Sequence, residues 1–196
     1  TFERYLADVR SQNKPGALYA YSPYELRNVF TYVHLNQPEV ANELLVKMFK
    51  DRRPPEWQVF AEVVHSRVRY PRYMGDMPHT WIGAEYARAV FGMLMHEGDA
   101  RLSLLPGTPP SWVAGEGLSV SALPTAYGPL TLRERQQDKT LRVSLGTGIR
   151  QDAAVEVRWP DRTRPLHVTV DGRKATVYDA AGIRLDRPFK ELVAEW

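Results

Sequence analysis

Tyr70-Pro71-Arg72-Tyr73-Met74-Gly75-Asp76-Met77-Pro78-His79-Thr80-Trp81 is a polar and aromatic stretch that leads into an apolar run over residues 82–95. Upstream of it, apolar residues recur at helical spacing. Downstream they alternate in short segments, as strands do. The stretch is therefore the joint between two kinds of structure. A connecting segment carries polar and aromatic side chains on a scaffold built by its neighbours, which makes this one the first place to look for chemistry.

Working back from the joint, Phe2, Tyr5, Leu6 and Val9 have helical spacing, and Ser11-Gln12-Asn13-Lys14-Pro15-Gly16 is a turn-forming break. Residues 1–10 are read as the end of a helix. In Ser22-Pro23-Tyr24-Glu25 a serine cap is followed by proline at the first helical position and by a glutamate three residues after the cap. This starts a helix over 23–35, with Leu26, Val29, Phe30, Tyr32 and Val33 as its apolar stripe. Asn36-Gln37-Pro38 is a tight link to a second amphipathic helix that carries Val40, Leu44, Leu45, Met48 and Phe49. So short a link makes the pair an antiparallel hairpin. A third helix is expected over 56–65, after Arg52-Arg53-Pro54-Pro55, and a fourth over 82–95, so that two hairpins stand in series.

Forward of Glu97-Gly98-Asp99, seven short segments sit between glycine and proline breaks: residues 102–105, 118–120, 131–135, 140–145, 154–159, 166–170 and 176–178. That many alternating segments in a row predict an antiparallel β-sandwich. Asp171-Gly172 is a hairpin turn signal. The fold class is α+β, with a helical part over 1–97 and a sandwich over 98–196.

The chain has 196 residues, 43% of them hydrophobic, which is enough to bury a core. No apolar run is long enough to cross a bilayer. Thr1-Phe2-Glu3-Arg4 is neither a signal peptide nor an initiating methionine, so the start is read as cut from something longer. Cysteine is absent, which removes disulfides, thiolate nucleophiles and cysteine-bound zinc. The first 100 residues balance acids against bases, and the formal +3 comes from scattered residues in the second half. No basic block of the kind a phosphate backbone requires is present, so neither nucleic acid nor membrane is expected as a partner. His34, His65, His79, His96 and His167 lack ligand spacing, the glycine pairs near 115 and 146 precede no helix, and no Gly-x-Ser-x-Gly occurs. No metal and no cofactor is expected.

The run Gly75-Asp76-Met77-Pro78-His79-Thr80-Trp81-Ile82-Gly83-Ala84-Glu85, with Leu102-Ser103-Leu104-Leu105-Pro106-Gly107-Thr108-Pro109-Pro110-Ser111-Trp112 and Leu123-Pro124-Thr125-Ala126-Tyr127-Gly128-Pro129-Leu130, resembles the C-terminal end of bacterial six-hairpin α/α-toroid glycosidases, large exported proteins that often carry discoidin-like modules. The resemblance covers residues 15–145. It implies that the last toroid helices are followed by a β-sandwich, and that the chain is the tail of a catalytic module. The rest of the ring would come from the upstream part of the same polypeptide or from a partner chain. It implies a carbohydrate substrate and an extracellular or periplasmic location.

Glycoside hydrolysis uses two carboxyl groups, one protonating the leaving oxygen and the other activating water or attacking the anomeric carbon. In a toroid such groups sit at the loop ends of inner helices, so Glu62 and Asp76 are the candidate carboxylates. The resemblance points to the segment 57–62, with its Phe60-Ala61-Glu62, as the place of a base. His79 is read as assisting a carboxylate or binding a sugar hydroxyl, and Trp57, Tyr70, Tyr73 and Trp81 as surfaces for sugar rings, with Tyr19 and Tyr21 close by. Each has a structural alternative: a solvated helix residue for Glu62, a turn brace for Asp76, a bridging core group for His79, and core packing for the aromatics. Three functions follow: a hydrolytic enzyme fragment that is inactive alone, a non-catalytic carbohydrate-binding module, and a module that docks a partner protein.

Overall fold

The computed structural model describes residues 2–52, 54–67, 70, 75–98 and 100–196. Its first half is helical. Helix α1 (Phe2–Ser11) is followed by a two-residue strand, β1 (Ala20–Tyr21), and a 3-10 turn (Pro23–Leu26) that runs into α2 (Arg27–His34). Ser22 caps this entry as its sequence requires, with its hydroxyl accepting from the backbone N–H of Tyr24 at 3.4 Å. Asn36 reverses the chain in the left-handed region at φ 57, a conformation asparagine tolerates better than most residues. Helix α3 (Pro38–Lys50) then returns antiparallel to α2. The faces the pattern selects are the ones that meet: Leu26, Val29 and Val33 bury against Ala41, Leu44 and Met48, and against Ile82, Ala89 and Met93 of α4 (Thr80–Leu94). Each large side chain among them contributes about 2 kcal/mol on burial. Gly92 lets α2 and α4 approach closely, since Phe30 leaves no room for a Cβ there.

The helix expected over 56–65 does not form. Pro55–Trp57 makes a single 3-10 turn, Gln58 ends it in the left-handed region at φ 55, and β2 (Val64–His65) pairs antiparallel with β1. The backbone between them bonds sideways: Glu62 N–H donates to Asp76 O at 3.0 Å, and His79 N–H donates to Phe60 O at 2.8 Å. These groups are then unavailable for helical i→i−4 bonds. The second of the two expected hairpins is thus a loop strapped to the entry of α4.

Helix α4 passes without a break into β3 (Met95–Glu97), which pairs with β4 (Arg101–Leu104). Chain returning from β4 caps the helix end: the N–H groups of Leu105 and Gly107 bond Leu94 O and Met93 O at 2.7 and 2.9 Å, and Thr108 Oγ1 also donates to Met93 O. A short helical turn α5 (Pro110–Val113) follows, and from it Trp112 packs on the helical core.

The remaining strands are β5 (Leu118–Leu123), β6 (Leu130–Gln137), β7 (Thr140–Leu145), β8 (Ala154–Arg158), β9 (His167–Val170), β10 (Arg173–Lys174), β11 (Gly182–Leu185) and β12 (Glu191–Glu195). They form a six-stranded sheet in the order β10-β9-β12-β7-β6-β5 and a four-stranded sheet in the order β11-β8-β4-β3. Leu132, Val143 and Leu192 from the first sheet and Leu104, Val157 and Ile183 from the second belong to one buried core. The chain is therefore α+β, but not antiparallel throughout. The six-stranded sheet is antiparallel, whereas β4 and β8 of the other run parallel, because β5, β6 and β7 cross to the larger sheet before β8 returns. The segment expected as a strand over 176–178 is irregular, while β11 and β12 complete the two sheets.

Candidate functional site

The strap between residues 60–62 and 76–79 builds the site. Besides the backbone bonds, the Glu62 carboxylate accepts from Asp76 N–H at 3.2 Å, and Ser22 Oγ donates to Glu62 O at 2.8 Å. Gly75 is required here. It holds φ +52, and a Cβ on it would lie 2.7 Å from both Cβ and Oε2 of Glu62. The strap thus brings Glu62 and Asp76 side by side, with the Asp76 side chain exposed and Glu62 half-buried. Asp76 lies three residues ahead of the N-cap of α4, which is His79.

His79 is drawn to the 3-10 turn. Its Nε2 lies 2.8 Å from the hydroxyl of Tyr24, and the two rings meet edge to face with centroids 5.5 Å apart. Tyr24 also meets Trp81 edge to face at 5.9 Å, and Trp81 is 62% exposed. The result is a strap carrying two acidic residues that runs into an aromatic rim, of which Tyr24 is a member that sequence reasoning misses.

The Arg27 guanidinium also lies over the Tyr24 ring, 4.9 Å from its centroid, and its Nε donates to Glu85 Oε1 at 2.9 Å. Glu85 is buried, its Oε2 has no hydrogen-bond partner, and Arg88 Nη1 stands 3.8 Å from it. These side chains line a cleft of about 180 Å³ with Phe30 and Thr31. One signal could have found Glu85: it is the lone acid on a mostly apolar helix, one turn after Trp81.

The other selected residues lie elsewhere. Tyr70 stacks on His65, with centroids 4.3 Å apart and planes at 15°. Trp57 ends the 3-10 turn and is 64% exposed, and among the described residues no ring contact joins it to Tyr24, His79 or Trp81. Tyr73 lies outside the described residues. Tyr19 and Tyr21 flank Lys47, whose ammonium pairs with Asp51 at 2.7 Å. Burial, with the Asp51 charge, pushes the Tyr21 phenol far above its ordinary range. This inward-facing cluster braces α3 against β1. His34 and His96 meet edge to face at 4.2 Å on the α2–β3 side, where burial, and then the neighbouring His34, lower the His96 pKa.

No family model matches the chain, and no curated protein matches it. Among solved structures the chain is similar to one described as a glycoside hydrolase, with a TM-score of 0.45 and 11% identity over 88% of this chain and 32% of the other. It is also similar to a GH127 β-L-arabinofuranosidase from Geobacillus stearothermophilus T6, with a TM-score of 0.33 and 13% identity over 65% of this chain and 20% of the other. The chain therefore spans 32% and 20% of the lengths of these two structures.

Proposed function

We propose that the chain is the C-terminal part of a carbohydrate-active enzyme, a glycoside hydrolase of the α/α-toroid type, in which the strap at the entry of α4 supplies one wall of the active site. The observation that carries this reading is the direct link of Glu62 to Asp76 beside the Tyr24–His79–Trp81 rim. The sequence resemblance of residues 75–85 supports it. Two acidic residues on adjacent segments, with an exposed indole at the start of the helix that follows, are the equipment a glycosidase needs on one side of its substrate.

In this reading the exposed Asp76 carboxylate activates water, and Glu62 holds the loop through its Oε2 while its other oxygen is turned to the substrate. His79, held by Tyr24, donates or accepts a hydrogen bond at a sugar hydroxyl. Trp81 lies against the apolar face of the ring. The general acid comes from helices supplied upstream in the same polypeptide or by a partner chain, so the chain alone binds saccharide without cleaving it. Hydrolysis by the polypeptide that carries this chain, with Glu62→Gln and Asp76→Asn, is the test.

A further inference from the structure

Strand positions that face a core call for apolar side chains, and directly paired residues of two antiparallel strands share a face. In the β9–β10 hairpin Arg173 pairs with Val170. It therefore stands on the face of Val168 and Val170, which joins the core between the sheets, while Lys174, paired with Thr169, starts from the other face and also borders the groove beside the hairpin. At the hairpin tip that face runs out past the core, and Arg173 is exposed there. Among the described residues it makes no ion pair, and neither does Arg187.

The space that Arg173 borders is a groove of about 580 Å³, lined also by Arg187 from the segment before β12 and by the apolar Ala175, Leu185 and Phe189. Its walls are tied together. Asp171 Oδ1 accepts from the N–H groups of Lys190 and Glu191 at 2.8 and 3.0 Å, and Asp171 N–H donates to Glu191 O at 2.8 Å. The hairpin tip is thus clamped to the chain entering β12, and the groove is formed before any ligand arrives. Asp171 gives one carboxylate oxygen to this clamp, and Asp186 is the other acid along the groove.

Two exposed arginines among the lining of a groove that also has apolar residues suit a ligand with an apolar face and a planar anion at its edge, since the arginine fork matches carboxylate geometry. We propose that this groove binds a carboxylate-bearing saccharide, an oligosaccharide containing uronate residues. That the carboxylate is carried on a sugar rests on the carbohydrate reading above; that the groove takes a carboxylate does not.

The test is calorimetric titration of the whole 196-residue chain with trigalacturonic acid and with its methyl ester. The acid should bind at least about tenfold tighter than the ester, and Arg173→Ala and Arg187→Ala should each weaken it about tenfold. Both side chains are exposed, so the melting temperature should hold, and Lys174→Ala should cost less than either. Equal binding of acid and ester, or undiminished binding in both arginine variants, overturns the proposal. Binding of poly-L-glutamate in place of the saccharide, abolished by Arg173→Ala, assigns the groove to an acidic peptide and overturns the saccharide. None of these outcomes touches Glu62 or Asp76, so the hydrolytic reading is judged separately.

Discussion

Glu134 offers the sharpest test of the energetics. It sits on β6 in register with Leu130 and Leu132, fully buried, and neither carboxylate oxygen has a hydrogen-bond partner. Burial pushes its pKa up to about 8, against 4.5 for the free side chain. The folded state therefore keeps a proton that the unfolded chain releases. The stability tied to this group is fully present below pH 4.5, falls as pH rises, and levels off above pH 8. At about 1.4 kcal/mol per pH unit, the loss reaches about 3 kcal/mol at pH 7. Glu134→Gln removes the titration while keeping the shape. It should match the parent protein near pH 4 and exceed it by about 3 kcal/mol at pH 7, a rise of roughly 6–12 °C in melting temperature for a chain of this size. Urea unfolding of both proteins at several pH values between 4 and 9 reads the difference directly. Parallel stability curves across that range would refute the reasoning, and would mean that Glu134 is ionised and satisfied in the folded protein.

Two further outcomes follow from the site. Gly75→Ala adds a Cβ that clashes with Glu62 at a positive φ, and should lower stability by about 2 kcal/mol; an unchanged thermal melt would show that the strap is looser than its contacts imply. Arg27→Ala leaves the buried Glu85 without its 2.9 Å partner and bares the Tyr24 face, and should cost about 2–3 kcal/mol, whereas Arg27→Lys, which keeps the charge, should recover part of that in the same denaturation assay.

What the sequence reveals of this fold is what is local. The Ser22-Pro23 cap and the 3.6-residue stripes of α2, α3 and α4 sit in contiguous stretches, and their buried faces follow from spacing alone. The failed helix over 56–65 shows the limit: its composition tolerates helix, but Gln58 turns left-handed and the backbone of Phe60 and Glu62 bonds to residues 76–79, a competition no local window contains. The parallel pairing of β4 with β8 is hidden for the same reason, since the strands β5, β6 and β7 of the other sheet lie between them. The candidate site divides along the same line. Glu62, Asp76, His79 and Trp81 lie close together along the chain and can be read from sequence. Tyr24, which holds His79, comes from 55 positions upstream, and Glu85 hides among the apolar residues of α4. Alternation alone places Glu134 on an inward face; what makes it informative is the absence of any hydrogen-bond partner there among the described residues, which only three dimensions reveal.

Under the proposed function, Glu62 and Asp76 belong to a sugar-cleaving site. The direct measurement is the rate of oligosaccharide hydrolysis by the polypeptide that carries this chain, compared with its Glu62→Gln and Asp76→Asn variants, with melting temperatures taken alongside. The rate should fall by about a hundredfold or more in each variant. Melting temperatures should be nearly unchanged, because the amide oxygen that Glu62→Gln introduces still accepts from Asp76 N–H, and the Asp76 side chain is exposed. Full activity in both variants would contradict the proposed function. So would a loss of activity that follows a collapse in melting temperature, which would make the two acids braces of the loop and nothing more.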